Sequence, residues 1–551
     1  MKKIKNILKI IIFVIIGIFS YRAVVGDISF ELVKNLDIFT SVMQELNKNY
    51  VDEIQPGSLT KTAIDEMLKS LDPYTEFIPE SDIEDYKLMT TGQYGGVGAL
   101  IQKLDSFVVV SEPYEGFPAY NAGLRAGDVI LEINGVSVKC KSTQEVSDML
   151  KGAPDTDVEI TFKNIFDDNI KKVKLTRKEI KLPEVPYYGI VAPHIGYISL
   201  SSFTMNCSNT VKDALLKLKE NDPKLQGLIL DLRNNGGGLL NEAVNIINIF
   251  VPKNTEVVST KGRLPEANRV YKTMQAPVDL EIPLCVLINE NSASASEIVA
   301  GALQDLDRAV IIGEQSYGKG LVQNIVNLPY NSKLKVTIAK YYIPSGRCIQ
   351  KIDYSDKTNG VGRQISADEQ KIFFTKNKRP VKDAGGILPD IDVKIDSISA
   401  FTAALYVGQH IFKFATLYSI KHPTIPQPDQ FKLSDADYNE FIAYMKDKEI
   451  KYSSPLKMEL DKLTKLAEDE KKLDLIKDDI ELLKKKITLD NQEELIHYKD
   501  EITTILAPEI ISRYYYQKGR IQYELQNDNF THKAVEILTN PSQYNNILSV
   551  K

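Results

Sequence analysis

The sequence predicts a multidomain α/β protein, with a strand–helix core between a glycine-punctuated β-rich region and a helical extension. Three observations predict it. Between Pro183 and about residue 400, apolar strands alternate with helices of ten or more residues, the pattern of a largely parallel sheet. From Gly92 to residue 180 the runs are short, β-like and broken by glycines. Beyond residue 400 the composition turns to helix formers and charge. A chain of 551 residues is too long for one hydrophobic core, so these regions read as separate domains.

Residues 1–26 carry four early lysines, an apolar run at Ile10–Phe19 and then small residues. The run is shorter than the about 20 apolar residues a spanning helix needs, so it reads as an export signal, with retention as a membrane anchor the alternative. Either way the body of the protein is expected outside the cytoplasm, in a periplasm or on the outer face of the cytoplasmic membrane. Residues 27–90 contain FELVKNLDIFTSVMQELNKNYVDEI and LTKTAIDEMLKSLD, with apolar residues three and four apart. They predict two amphipathic helices joined by a turn at Pro56-Gly57.

Residues 91–180 run from YGGVGALIQ through GFPAYNAGLRAGDVILEINGVSV to KKVKLTRKEI. The order Gly-Leu, Gly-Asp, strand, Asn-Gly resembles a PDZ domain, a partly open β-barrel with helices. That resemblance implies that Tyr94, Gly95, Gly96, Val97 and Gly98 form the loop receiving a peptide's C-terminal carboxylate. Glycines allow successive N–H groups to converge on an anion, and the following strand offers an edge to a peptide. A plain glycine turn is the alternative.

Residues 181–400 form the core, with strands in IGYISLSSF, LQGLILDLR, PLCVLINE and RAVIIGE and helices between them. In the extension, residues 401–551, Leu460, Leu463, Leu473, Ile476, Ile480, Leu483 and Ile487 mark an amphipathic helix or helix pair. It is expected to pack on its own body, a homo-oligomer contact being the alternative. A net charge of -6 with interleaved lysines and acids argues against nucleic acid as a partner. Cys140, Cys207, Cys285 and Cys348 are far apart and read as mostly buried apolar residues. The five histidines are scattered, so no metal site is expected.

The chemistry lies in ENSASASEIVAGALQDLDRAVIIGEQSYGKG, residues 290–320. Ser292, Ser294 and Ser296 sit where a strand meets a helix, at the sheet edge where α/β folds bind ligands. A serine there is either a helix cap or a nucleophile whose oxyanion is held by the helix N–H groups. No histidine is near to take its proton. Gly313–Lys319 fits the phosphate-loop spacing, but position 320 is Gly and strands follow, so a nucleotide cofactor is rejected. The other reading makes Lys319 a general base. An amine with a pKa of about 10.4 is protonated at neutral pH, and burial lowers that value. Serine beside a neutral lysine is an acyl-transfer pair that needs no histidine.

This segment, GLILDLRNNGGGLLNEAV before it, YVDEI…SLDPYTEFIPESD, the PDZ-like region and GILPDIDV together resemble the carboxy-terminal processing (tail-specific) proteases. The resemblance implies a PDZ-bearing Ser/Lys-dyad serine endopeptidase, a core of the ClpP/crotonase-like type, and no metal or cofactor. Its partners would be proteins or peptides with accessible C-terminal tails. Carried over, the nucleophile is Ser294, the base Lys319 and the lysine-orienting residue Gln323. The oxyanion hole combines Ala295 with Gly237 or Gly238, while Ser292 and Ser296 support, at least one as a cap. Asp305 supports structurally, and Arg177 couples PDZ occupancy to the active site. One departure stands out: the family's Asn-Asn-Pro-Gly-Gly turn is here Asn234-Asn235-Gly236-Gly237-Gly238. A non-catalytic peptide- or ligand-binding protein on the same fold is the alternative function.

Overall fold

The computed structural model describes residues 30–165, 167–358, 361–487 and 490–549. The segment assigned to export lies outside them. Among the described residues no helix is long and apolar enough to cross a membrane.

The chain divides into two compact units. Of the described residues, the smaller comprises 30–77 with Ile325–Val336. Its helices span residues 30–49 and Pro56–Lys69. Pro56 and Gly57, expected as a turn, instead open the second helix, with proline where its missing N–H costs nothing.

Among its described residues the larger unit, Ile78–Asn324 with Thr337–Lys551, holds three apolar cores, the second made of two clusters on opposite faces of one sheet. The first belongs to the antiparallel sheet of Ala99–Leu104, Phe107–Pro113, Val129–Ile133, Asp157–Lys163 and Ile170–Thr176, in that order. Strand-facing Val108, Val110, Ile130, Ile160 and Phe162 pack on Val146 and Leu150 of the helix Thr143–Leu150. The Asn134-Gly135 turn has φ of 52° and 75°, the left-handed pair that a tight hairpin requires.

The second core lies on a six-stranded sheet ordered Tyr187–Ala192, Ile195–Ser199, Gly227–Asp231, Leu284–Ile288, Val310–Gly313 and Ile391–Asp392. The first pair is antiparallel and the rest are parallel. Every residue of the three middle strands is buried, because a parallel sheet is covered on both faces. One face carries the helices Cys207–Asn221, Leu240–Phe250 and Ala295–Asp305. The other is covered by Phe530, Ala534, Ile537, Leu538, Tyr544 and Leu548 from the last two helices, Asn529–Leu538 and Pro541–Leu548. The end of the expected extension is therefore a layer of the core.

The remaining helices have a third core around Phe401, Phe414, Phe441, Leu506 and Ile510. The leucine stripe is a helix pair, Pro455–Asp469 and Leu473–Ile487, in which Leu460 and Ile480 are buried and Leu463 and Leu483 are largely exposed. The cysteine expectation holds for Cys207 and Cys285 but fails at Cys140, which is exposed on a left-handed turn.

Asp305, at the end of the helix Ala295–Asp305, is fully buried and lies 2.9 Å from the equally buried Arg347. Arg347 also donates to Gln304 Oε1 (2.7 Å) and Lys382 O (3.0 Å). Arg347→Ala, which would leave the carboxylate uncompensated, is expected to cost about 3–5 kcal/mol in urea unfolding. A loss below about 1 kcal/mol would mean that the pair adds little.

Candidate active site

Strand Leu284–Ile288 leaves the sheet at its C-terminal edge, and the chain turns through Asn289–Ala293 into a helix beginning at Ala295. Ser294 makes that turn at φ 55°, ψ −111°, a strained conformation for a residue with a side chain. The serines on either side are fully buried tethers. Ser292 Oγ donates to Leu232 O (2.8 Å) and accepts from Asn289 N (3.0 Å), while Ser296 Oγ donates to Asn235 O (2.8 Å). Neither caps the helix, contrary to the expectation for one of them. Ser294, only half-buried, is the accessible serine of the three.

Glu297 supplies the cap and more. It is fully buried, and its carboxyl accepts four hydrogen bonds. Oε2 takes the backbone N–H of Ser294 (2.8 Å) and of Lys319 (2.9 Å). Oε1 takes Gly318 N–H (2.7 Å) and Ser316 Oγ–H (2.5 Å). One carboxyl group thus joins the serine turn to the lysine loop. Tyr317 N–H adds a bond to Ser292 O (3.0 Å). Gly318, at φ 90°, lies where a Cβ would come within 2.6 Å of Lys351 Cβ, so glycine is required beside the lysine.

Lys319 is half-buried and precedes the strand Leu321–Asn327, on which Gln323 donates to Thr337 Oγ1 (3.2 Å).

A third loop completes the site. After Gly227–Asp231 the chain forms the turn Asn234–Gly238, whose Asn235 O accepts from Ala293 N (3.1 Å) and Ser296 Oγ. Asn289 is bound to Asn234 in both directions at 2.9 Å. Gly237 passes so close to the serine turn that a Cβ would lie 2.8 Å from Ala295 N. Its own N–H donates to Asn235 Oδ1 (2.9 Å), so the expectation of Gly237 as an oxyanion donor is corrected. Gly238 and Ala295 are the remaining candidates. Just upstream, Arg233 is held by Asp231 through Nε (2.9 and 3.0 Å) and Nη2 (2.6 Å).

In the antiparallel β domain, Gln93–Gly96 pairs with Lys178–Lys181, and Gly95 N–H donates to Glu84 Oε2 (2.9 Å). The first half of the predicted Tyr94–Gly98 loop is thus a strand whose Gly95 donor is occupied. Val97 and Gly98 make the turn into Ala99–Leu104, an outer strand of its sheet. Arg177 donates to Met149 O and Leu150 O (both 3.0 Å), to Asp157 O (3.1 Å) and to Thr156 Oγ1 (3.1 Å). It thereby satisfies the carbonyls ending the helix Thr143–Leu150, and its hydrogen bonds stay within this domain.

Comparison with known proteins places these regions. The model of peptidase family S41 matches residues 194–361, and a PDZ-domain model matches 109–164. The family described as "Probable PDZ-protease, C-terminal helical domain" matches 401–538. A "Carboxy-terminal-processing protease" of Bartonella bacilliformis is 37% identical over 321 residues, 58% of this chain and 73% of that relative. This chain belongs to the carboxy-terminal-processing protease family. A "Probable CtpA-like serine protease" of Staphylococcus aureus is 36% identical over 318 residues, 57% of this chain and 62% of its own. Among solved structures, the photosystem II D1 C-terminal processing protease is 30% identical, with a TM-score of 0.35 over 65% of this chain and 92% of that one. The PDZ domain of a Vibrio cholerae carboxy-terminal protease is 25% identical, with a TM-score of 0.16 over 16% of this chain and 99% of that one.

Membership makes the chain a serine-type protease with an S41 core, a PDZ domain and a C-terminal helical domain. Sequence reasoning about this processing protease passes over Glu297, Asp231 and Arg233. The signal for Glu297 is the Ser-x-x-Glu spacing of a capping box at a helix start. For the other two it is the charge pair ending LILDLR, at the carboxyl end of an otherwise apolar strand.

Proposed function

We propose that this processing protease hydrolyses peptide bonds through an acyl-enzyme on Ser294, with Lys319 as general base. The observation that carries the reading is Glu297 Oε2, one atom that accepts the N–H groups of both Ser294 and Lys319. The uncharged Lys319 amine takes the Ser294 hydroxyl proton as Oγ bonds to the scissile carbonyl carbon. The resulting oxyanion faces the N–H groups of Ala295 and Gly238. Collapse breaks the C–N bond, and Lys319 returns the proton to the leaving amine. Water then attacks the ester, with Lys319 again taking a proton, and Ser294 is restored. Gln323, on the strand after the base, orients the lysine segment in this reading.

The PDZ domain captures the C-terminal tail of a protein substrate along the edge of Ala99–Leu104, its carboxylate meeting the Val97-Gly98 end of the loop. The basic and then apolar front of residues 1–26 supports action outside the cytoplasm. Reaction with a fluorophosphonate probe and cleavage of a C-terminal peptide test the site together. Ser294→Ala is expected to abolish both. Lys319→Ala is expected to abolish turnover while peptide binding persists. Cleavage by Ser294→Ala would remove the nucleophile assignment, and turnover by Lys319→Ala would point to another base.

A further inference from the structure

Arg233 stands two residues before Asn235, whose carbonyl and amide brace both the serine turn and Gly237. Asp231 engages one side of its guanidinium. The other side is held by a residue almost three hundred positions away: Nη1 and Nη2 donate to Asp528 Oδ1 and Oδ2, each at 2.8 Å. The guanidinium carbon also lies 4.8 Å from the centre of the Phe530 ring. Such a two-pronged carboxylate contact fixes direction as well as distance.

Asp528 is itself anchored. It caps the helix Asn529–Leu538 by accepting from Thr531 N (3.1 Å) and Thr531 Oγ1 (2.5 Å). That helix is packed on the second face of the catalytic sheet. Upstream, the helix Lys499–Glu524 is broken at Tyr516 (φ 53°, ψ −160°), and Gln517 N–H donates to Glu112 Oε1 of the PDZ strand Phe107–Pro113 (3.1 Å). The stretch from Gln517 to Asp528 therefore runs from a PDZ strand to the arginine behind the catalytic turn.

We propose that Asp528 is a positioning residue for catalysis, so that the C-terminal helical domain completes the active site by holding Arg233 and, through it, the Asn234–Gly238 turn. The inference rests on the Ser294 reading above. In Asp528→Asn the helix cap survives, since asparagine caps as well as aspartate, but an amide nitrogen faces an arginine donor.

The test uses the full chain, with kcat, KM, thermal stability and the rate of fluorophosphonate labelling at Ser294 measured in parallel. Asp528→Asn is expected to lower kcat and labelling about tenfold to a hundredfold with KM unchanged, the scale of a small misplacement of reacting groups. Asp528→Ser, which also caps but carries no charge, is expected to behave alike, and Asp528→Glu to recover part of the loss. Ile537→Val loosens the packing of the same helix on the sheet without touching Asp528 or Arg233 and is expected to keep kcat. An equal loss of kcat in Ile537→Val and Asp528→Asn would make the effect one of helix stability and overturn the inference. So would labelling of Asp528→Asn and Asp528→Ser at the wild-type rate. A wild-type chain that does not label at Ser294 overturns the underlying reading, and this inference with it.

Discussion

Replacing Glu297 with glutamine is expected to lower kcat by about a hundredfold or more, although the side chain keeps its shape. Each carboxyl oxygen accepts two hydrogen bonds, and a glutamine nitrogen in either place would face backbone N–H groups. Placed towards Ser316, the nitrogen still opposes Gly318 N–H; placed the other way, it opposes both Ser294 and Lys319. A buried donor left without an acceptor costs about 1–3 kcal/mol, and here the cost falls on the residues that set the serine–lysine geometry. Glu297→Ala removes all four bonds and is expected to destabilise the chain as well. Steady-state kinetics with urea unfolding checks both, and wild-type kcat in Glu297→Gln would show that the clamp does not position the pair.

The same residue predicts a pH dependence. Burial pushes the Glu297 carboxyl above its ordinary value, against the opposing effect of its donors. The folded state then binds that proton more tightly than the unfolded chain does. Its contribution to stability is therefore present below the unfolded value and lost as pH rises through the folded one. Activity moves oppositely, because a protonated oxygen is a poorer acceptor for the N–H groups it holds, so kcat falls as pH drops through the raised value. In Glu297→Gln both dependences are expected to disappear, and an unaltered acid limb would assign it to another group.

Gly237→Ala is expected to abolish measurable cleavage. At φ 98°, backbone strain alone costs a side-chain-bearing residue about 1–3 kcal/mol. The added Cβ would also lie 2.7 Å from Ala293 O and 2.8 Å from both Ala295 N and Ser294 Cβ. The first two atoms are backbone, so relief requires the serine turn itself to shift. The neighbouring Gly236→Ala is the control: its Cβ would meet nothing within 4 Å, and a gain of about 0.4–1 kcal/mol is expected from a less flexible unfolded chain. Comparable kcat values for the two variants would separate the turn from catalysis. The open space at Gly236 also bears on the departure from the family's turn, since proline's position is here a glycine that no neighbour demands.

Much of the fold was legible because its signals are local. Strand–helix alternation marks a parallel sheet whether or not its partners are known, and Asn134-Gly135 favours a tight turn through its own backbone preference. The candidate pair was legible for a different reason. Ser294 and Lys319 are marked by the resemblance to the processing proteases, whose nucleophile stands 25 positions before the lysine. What failed depended on distant partners. Ser292 and Ser296 look like caps until Leu232 O and Asn235 O take their hydroxyls. Gly237 looks like a donor until the side chain of Asn235 reaches back to it.

By itself the sequence determined the α/β core, the PDZ-like β domain and the helical character beyond residue 400, while the candidate nucleophile and base came with the resemblance to the processing proteases. The first three follow from periodicity, turn chemistry and short spacings, which survive without tertiary context. Only the tertiary structure decided that Glu297 ties serine to lysine, that the last helices cover the second face of the catalytic sheet, and that Asp528 holds Arg233. The physical reason is separation along the chain. A buried carboxyl must find donors to stay buried and a two-faced sheet must be covered, but no local pattern states which distant residues meet either need.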